Sequence, residues 1–205
     1  VIEVNVVGCV PCRIARISFS GELAYEVYVP ADFGPDVMDR LWSSAKEMGG
    51  CLYGLEALGT MRIEKGHVTG AELDGRVTLE DAGLGRMAST KKSFIGNALR
   101  QRPELLREDR PQLVGIFPKD RSLTFNAGSI LCSADEINGH GAGWITAITH
   151  SPELGHWIGI GFISGGYSAW EGKRVISADP VRDGNVEVEI VSPHMVDPEG
   201  ERMYG

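Results

Sequence analysis

The chain has 205 residues, which is enough for one large domain or two small ones. Hydrophobic residues make up 42% of it, as in an ordinary soluble protein. The formal net charge of −8 argues against a general binder of nucleic acid or anionic membranes, because such proteins need a positive field. No apolar run approaches the roughly 20 residues that cross a bilayer, and no signal peptide is visible. We therefore expect a cytoplasmic protein with no nucleic-acid or membrane partner.

The first residues, V-I-E-V-N-V-V, already have a strand pattern, and the chain starts with Val1 rather than Met. Such a start is typical of an excised piece, so we expect a fragment of a longer protein. A fragment should expose apolar surface where the missing part packs.

Cys9 and Cys12 have C-x-x-C spacing, which can mark a redox pair or half of a zinc site. A zinc site needs two more ligands, and the sequence has no second C-x-x-C. A redox pair should open a helix after a strand, whereas a strand pattern follows here. We interpret the pair as buried thiols of a cytosolic protein.

Residues 13–30, R-I-A-R-I-S-F-S-G-E-L-A-Y-E-V-Y-V-P, predict two strands joined by a tight turn at residues 20–22. The first strand takes its apolar residues from Ile14, Ile17 and Phe19. In the second strand, alternation places Glu26 and Tyr28 opposite a more apolar face. That face carries Tyr25, Val27 and Val29. From the pattern alone, Glu26 is either a solvated carboxylate or a pocket carboxylate that receives paired N–H donors from a flat heterocycle.

The segment S-F-S-G-E-L-A-Y-E, residues 18–26, resembles the hairpin motif S-[YF]-[TS]-G-E-x-G-[YF]-E of the glycine cleavage T-protein (aminomethyltransferase) superfamily. In that family the last Glu holds the pteridine ring of tetrahydrofolate, and the aromatic residue contacts the folate. The resemblance implies cofactor-binding roles for Glu26 and Phe19. The family's catalytic Asp lies upstream of Val1, so the resemblance implies no catalytic residue in this chain.

Helical spacing of apolar residues predicts helices at residues 35–48 and 54–64. The apolar stripe of the first helix consists of Val37, Leu41, Trp42, Ala45 and Met48. We expect Trp42 to lie in the core. Gly59 inside the second helix costs about 1 kcal/mol relative to Ala, which suggests a close-packed neighbour.

The segment G-L-E-A-L-G-T-M-R-I-E-K-G, residues 54–66, is similar to the T-protein pattern G-L-x-A-R-D-S-L-R-L-E-x-G. Leu58 stands where that pattern has an Arg, which separates the chain from true aminomethyltransferases. The variant instead resembles the alpha subunits of heterotetrameric sarcosine oxidases. The loop L-E-D-A-G-L-G-R-M, residues 79–87, and the tail D-P-E-G-E-R, residues 197–202, resemble the same subunits.

His67 follows K-G at the position where a sister family for iron–sulfur repair has Cys in K-G-C-Y-x-G-Q. Imidazole cannot replace a thiol in nucleophilic or redox work without changing the chemistry. We exclude that family for this reason. His67 is interpreted either as a residue facing the folate pocket or as a structural histidine.

Residues 92–106 predict a helix that is entered at Phe94 and Ile95 and is kinked or split at Pro103. From residue 112 onward, short strands alternate with turns, which is typical of a small sandwich or barrel. The predicted strands are 113–117, 129–132, 141–149, 157–163, 173–178 and 186–191. Turn residues punctuate them at 138–139, 151–152, 165–166 and 183–185.

The predicted fold class is α+β. Residues 1–108 form the C-terminal half of a ferredoxin-like, T-protein-like folate-binding domain, and residues 109–205 form a small all-β, jelly-roll-like barrel. In the family this barrel contains G-x-V-T-S-x-x-x-S-P-x-L-G, which residues 143–155 fit in part. The glycines of residues 139–143 are predicted to form a hairpin turn rather than a dinucleotide loop, because strands lie on both sides. His140, His150, His156 and His194 lack a metal-like spacing, so we predict no metal site.

The resemblance implies a tetrahydrofolate-binding portion of a sarcosine oxidase alpha subunit. That complex would convert the methylene group released from sarcosine to 5,10-methylenetetrahydrofolate. FAD, FMN and NAD would be bound elsewhere in the complex. The implied partners are folate, the N-terminal remainder of the alpha subunit, and the beta, gamma and delta subunits, and the fragment alone should be inactive. The alternatives are another folate-dependent aminomethyltransferase, a dimethylglycine dehydrogenase-like domain, and a non-catalytic subunit-assembly domain.

Overall fold

The computed structural model describes residues 1–6, 10–137, 139–182 and 184–205. Cys9 of the C-x-x-C pair lies outside the described residues, as do Val7 of the opening strand pattern and parts of the predicted turns at 138–139 and 183–185. By internal contacts the chain divides into two compact units. One consists of Val1–Gly59 with Glu199–Gly205, and the other is Thr60–Pro198.

In the first unit, three strands form an antiparallel sheet in the order β1-β2-β3. They are β1 (Ile2–Val6), β2 (Val10–Ala15) and β3 (Glu26–Tyr28). Ala15 pairs with Glu26, and Arg13 pairs with Tyr28. The register therefore leaves residues 16–25 as a loop between β2 and β3.

The predicted tight turn is wrong, because the loop is longer and Ile17 and Phe19 belong to it rather than to a strand. Serine side chains take the place of ladder hydrogen bonds within the loop. Ser18 Oγ accepts from the backbone N–H of Gly21 at 3.0 Å, and Ser20 Oγ accepts from the next N–H at 3.3 Å. Such local hydrogen bonds compete with strand pairing.

Helix α1 (Gly34–Glu47) confirms the first predicted helix. Its apolar stripe is only partly buried: Val37 is buried, but Leu41 is 47% and Met48 81% exposed. The prediction that Trp42 lies in the core is wrong. The residue is half-buried, and the Lys46 ammonium lies 5.3 Å from the centre of its ring.

Helix α2 (Leu55–Lys65) confirms the second predicted helix, which ends at Gly66 with φ of +71°. A Cβ at Gly66 would lie 2.4 Å from the backbone oxygen of Pro193, so only glycine fits there. The expectation for Gly59 is wrong, because no described atom lies within 4 Å of a Cβ built there.

The predicted helix at 92–106 is wrong. The described chain there has only two 3₁₀ turns, Leu99–Gln101 and Pro103–Leu105, and Ile95 is fully exposed. Pro103 lacks an N–H and excludes a continuous helix. Gly96 adopts a φ of +91°, which also breaks helical geometry. A further 3₁₀ turn, Gly85–Met87, precedes this region.

Six antiparallel strands of the second unit form a closed barrel with neighbours in the order β4-β7-β6-β5-β8-β9. All six predicted strands are confirmed, and a short helix α3 (Gly166–Trp170) follows β7. The strands are β4 (Pro111–Pro118), β5 (Ile130–Ser133), β6 (Gly143–Ser151), β7 (His156–Ser164), β8 (Val175–Ala178) and β9 (Val186–Val191). The predicted α+β class with a small all-β barrel is confirmed.

Alternation in β9 places Val188 and Ile190 in the buried core. Glu187 lies outside and accepts hydrogen bonds from Arg174 and Lys119. These hydrogen bonds hold the pKa of Glu187 at about 2. Within the described ranges, no helix is long and apolar enough to cross a membrane.

Candidate functional site

The two residues that the resemblance assigns to folate lie in adjoining parts of the chain, one in a loop and one in the strand that follows it. Phe19 is half-buried in the loop of residues 16–25, and Glu26 is the first residue of β3. The cross-strand pair of Ala15 and Glu26 closes this loop. The hairpin thus keeps the aromatic ring and the carboxylate on one short, closed segment.

Glu26 is exposed, as in the solvated alternative of the two that its strand pattern allows. Its Oε2 accepts a hydrogen bond from the Tyr28 hydroxyl on the same face of β3. This hydrogen bond raises the pKa of Tyr28 above its ordinary value of 10. Sequence reasoning did not include Tyr28 in the site, although its i, i+2 spacing from Glu26 was the available signal.

The acceptor chemistry of Glu26 fits the pteridine ring of tetrahydrofolate. An ionised carboxylate has about four lone-pair positions, and Tyr28 occupies one of them. Both oxygens therefore retain room for the two parallel N–H donors that a carboxylate binds best. Phe19 supplies an aromatic face in the adjoining loop.

The C-terminal residues hold this loop at both ends. Arg16 Nη2 donates to the backbone oxygen of Met203 at 2.8 Å, and its guanidinium lies 5.9 Å from the centre of the Tyr204 ring. The backbone N–H of Leu23 donates to the backbone oxygen of Arg202 at 3.0 Å. Residues 197–202 gave only a family resemblance in the sequence. Their contacts with the loop could not be predicted, because partners about 180 residues apart leave no local signal.

In the second unit, the motif residues Arg62 and Glu64 are structural. Arg62 Nη1 donates to Glu72 Oε2 at 3.0 Å, and both side chains are buried. The same oxygen accepts from the backbone N–H and the hydroxyl of Thr69, at 2.7 and 3.0 Å. Glu64, also buried, accepts a hydrogen bond from the hydroxyl of Ser151, at the end of β6. At these positions the match to the family pattern thus coincides with buried contacts: Arg62 binds the segment after α2, and Glu64 binds the barrel strand β6.

Lys65 extends this anchoring to the segment after β9. Its ammonium donates to the backbone oxygen of Asp197 at 2.5 Å, and its backbone oxygen lies 2.9 Å from His194 Nδ1. The backbone N–H groups of Met195 and Val196 both donate to the backbone oxygen of Glu64. The end of α2 is therefore fixed by two main-chain hydrogen bonds together with the side chains of Lys65 and His194.

His67 lies directly after this anchor. Desolvation of its imidazole and the nearby positive charge of Arg62 lower its pKa, although much of the residue is exposed. Both effects favour the neutral ring near pH 7. Its place relative to folate stays a prediction.

The described residues contain no group of three or more side chains that could hold a metal ion. His140, His150 and His194 are exposed, and His156 is half-buried. Cys12 is buried, as predicted for that member of the C-x-x-C pair.

Two family models match the chain in succession. The model of the GCVT N-terminal domain matches residues 1–92. The model of the glycine cleavage T-protein C-terminal barrel domain matches residues 112–197. Together they account for most of the chain.

Among curated proteins, the chain is similar to two sarcosine oxidase alpha subunits. It is 38% identical to that of Rhizobium meliloti over 96% of this chain and 20% of the relative. It is 35% identical to that of Corynebacterium sp. strain U-96 over 99% of this chain and 21% of the relative. The aminomethyltransferase of Halothermothrix orenii is 32% identical over 73% of this chain and 41% of that protein. The chain thus spans about a fifth of the length of the alpha subunits that it matches.

A solved structure shares the fold. The crystal structure of glycine cleavage system aminomethyltransferase T from Bartonella henselae aligns with a TM-score of 0.71 and 22% identity. The alignment covers 90% of this chain and 50% of that chain. At this identity the likeness concerns the fold alone.

Proposed function

Since the chain belongs to the glycine cleavage T-protein family, we propose that it is the tetrahydrofolate-binding, C-terminal portion of a sarcosine oxidase alpha subunit. Similarity to such subunits over nearly the whole chain supports this assignment. Leu58, where aminomethyltransferases carry Arg, favours it over an aminomethyltransferase. Residues 1–108 would belong to the folate-binding domain and residues 109–205 to the barrel domain.

The observation that carries the proposal is that Phe19 and Glu26 both belong to the segment that the cross-strand pair of Ala15 and Glu26 closes. Glu26 accepts two N–H donors of the pterin, and Phe19 contacts the ring through its aromatic face. When bound, tetrahydrofolate would supply the acceptor for the one-carbon unit that flavin-dependent oxidative demethylation of sarcosine releases elsewhere in the complex, which gives 5,10-methylenetetrahydrofolate. The residues of this chain orient the pterin, which lowers the entropic barrier to that transfer.

The remaining functions belong to other parts of the proposed complex. FAD, FMN and NAD bind to the N-terminal remainder of the alpha subunit or to the beta, gamma and delta subunits. The reaction as a whole is an oxidation of a CH–NH group in the cytoplasm. This chain contributes folate binding and no catalytic side chain.

The test is calorimetric titration of tetrahydrofolate into the complete alpha subunit and into this chain, each with and without Glu26→Gln. The substitution removes the charge from two charge-assisted hydrogen bonds, so we expect folate affinity to fall at least about tenfold. Glu47→Gln is the matched control, because Glu47 is an exposed carboxylate at the end of α1 in the same unit. It should leave the affinity unchanged.

Equal tetrahydrofolate affinity of the Glu26→Gln variant and the unmodified subunit would refute the assignment of Glu26 to the folate site. Absence of folate binding in every form would refute the folate function and support the assembly-domain alternative. Binding by the complete subunit but not by the isolated chain would indicate a pocket completed by upstream residues.

A further inference from the structure

We propose that residues 199–205, here termed the C-terminal tail, are a positioning element of the folate site. The tail fixes the loop of residues 16–25, which carries Phe19, and thereby sets the position of the aromatic ring. This inference rests on the proposed function of the hairpin and concerns residues that never touch the ligand.

The tail contacts the loop on both sides of Phe19. Three residues before it, Arg16 donates to the backbone oxygen of Met203 at 2.8 Å. Three and four residues after it, Glu22 and Leu23 take part in the remaining contacts. Leu23 donates its backbone N–H to the backbone oxygen of Arg202 at 3.0 Å, and Glu22 Oε1 accepts from Arg202 Nη1 at 3.4 Å. Phe19 therefore lies between two fixed points.

The acceptors on the tail are backbone carbonyl oxygens at the end of a helical turn, which have no hydrogen-bond donor within that turn. Residues Glu201–Met203 form one 3₁₀ turn, held by the N–H of Tyr204 donating to the oxygen of Glu201 at 3.0 Å. The last carbonyls of a helix have no partner within it. Here the oxygens of Arg202 and Met203 accept from the loop instead. The turn also requires Gly200, whose φ is +75°.

The loop gains order from the tail because it has no strand ladder of its own. The hydrogen bonds from the backbone N–H groups of Gly21 and Glu22 to Ser18 and Ser20 lie within residues 18–22 and do not reach the ends of the loop. Without the tail, Arg16 and Leu23 lose their backbone partners, and the loop samples more conformations. Binding of folate must then restrict the loop again, which weakens affinity.

The experiment uses the complete alpha subunit in its assembled complex. Arg16→Met removes the hydrogen bond to Met203 and the contact with the Tyr204 ring, and a second variant ends at Pro198. Arg40→Met is the matched control, because Arg40 is an exposed arginine of α1 in the same unit. Calorimetry measures tetrahydrofolate affinity, and steady-state assays measure KM for folate and kcat for sarcosine oxidation.

We expect Arg16→Met to weaken folate binding about threefold to tenfold, the range of one hydrogen bond, and the truncation to weaken it further. KM for folate should rise while kcat for sarcosine oxidation stays constant, and Arg40→Met should change neither value. A purely structural defect would instead lower kcat and folate affinity together.

A double-mutant cycle with Phe19→Leu tests the route of the effect. If the tail acts through Phe19, Arg16→Met causes no additional loss in the Phe19→Leu background. Additive losses would overturn the inference. Normal folate binding by Arg16→Met and by the truncated subunit would overturn it too, while a loss with Glu26→Gln would leave the proposed function standing. If Glu26→Gln also binds normally, the proposed function itself fails.

Discussion

Removing the carboxylate of Glu72 should destabilise the second unit more than any surface change. Glu72 is 1% exposed, and its Oε2 accepts three hydrogen bonds, from Arg62 at 3.0 Å and from Thr69 at 2.7 and 3.0 Å. Glu72→Ala leaves the Arg62 guanidinium charged, buried and without this acceptor. Breaking a buried ion pair in this way costs about 3–5 kcal/mol of unfolding free energy.

Glu72→Gln should cost less, because the amide oxygen can still accept all three hydrogen bonds. Its nitrogen would take the place of Oε1, which has no hydrogen-bond partner among the described residues. An unsatisfied buried donor costs about 1–3 kcal/mol. Both variants remove the negative charge that faces Arg62, so the difference between them reports the loss of the acceptor.

Urea unfolding followed by tryptophan fluorescence measures the free energy of unfolding of both variants, since Trp144, Trp157 and Trp170 all lie in the second unit. Glu104→Ala is the control, because Glu104 pairs with Arg107 at 3.1 Å on the surface. Exposed pairs contribute about 1 kcal/mol or less. If Glu72→Ala lowers stability no more than Glu104→Ala, the assignment of Glu72 as a structural acceptor is wrong.

Two further predictions concern Asp81 of the second unit and the glycines of helix α2. Burial raises the pKa of Asp81, but hydrogen bonds, chiefly from Arg110, outweigh it and bring the pKa below its ordinary value of 3.8. In acid the unfolded chain then binds more protons than the folded chain, so the stability that Asp81 contributes is present above about pH 4 and is lost as the pH falls further. The thermal unfolding temperature of Asp81→Asn should therefore decrease less steeply in acid than that of the unmodified chain. Parallel curves of unfolding temperature against pH would contradict this prediction. Gly66→Ala should cost at least about 2 kcal/mol through its positive φ and its clash with Pro193, whereas Gly59→Ala should stabilise α2 by about 1 kcal/mol. Equal unfolding free energies of these two variants would refute the steric argument.

The barrel could be predicted strand by strand because each strand carries its own signal. In β9, valine and isoleucine alternate with glutamate, so the sequence states which side chains face the core. Gly66 likewise marked the end of α2 without reference to any distant residue. The wrong helix at 92–106 came from weighing apolar spacing above Pro103 and Gly96, both of which were visible in the sequence.

Burial could not be predicted where it depends on which element covers a face. The stripe of α1 is well formed in sequence, yet Met48 is 81% exposed and Trp42 only half-buried. Amphipathic spacing states that a helix has an apolar side, but it does not state what packs against that side.

At the candidate site, the residue types follow directly from the amino-acid sequence: a carboxylate at Glu26, an aromatic ring at Phe19, and a resemblance that connects them to folate. Their surroundings depend on how the folded chain brings distant segments together. The fold places the Tyr28 hydroxyl on Glu26 and joins the C-terminal tail to the loop of residues 16–25. A hydrogen bond between Leu23 and the tail depends on the path of the whole chain between them, and no local preference of either segment encodes that path.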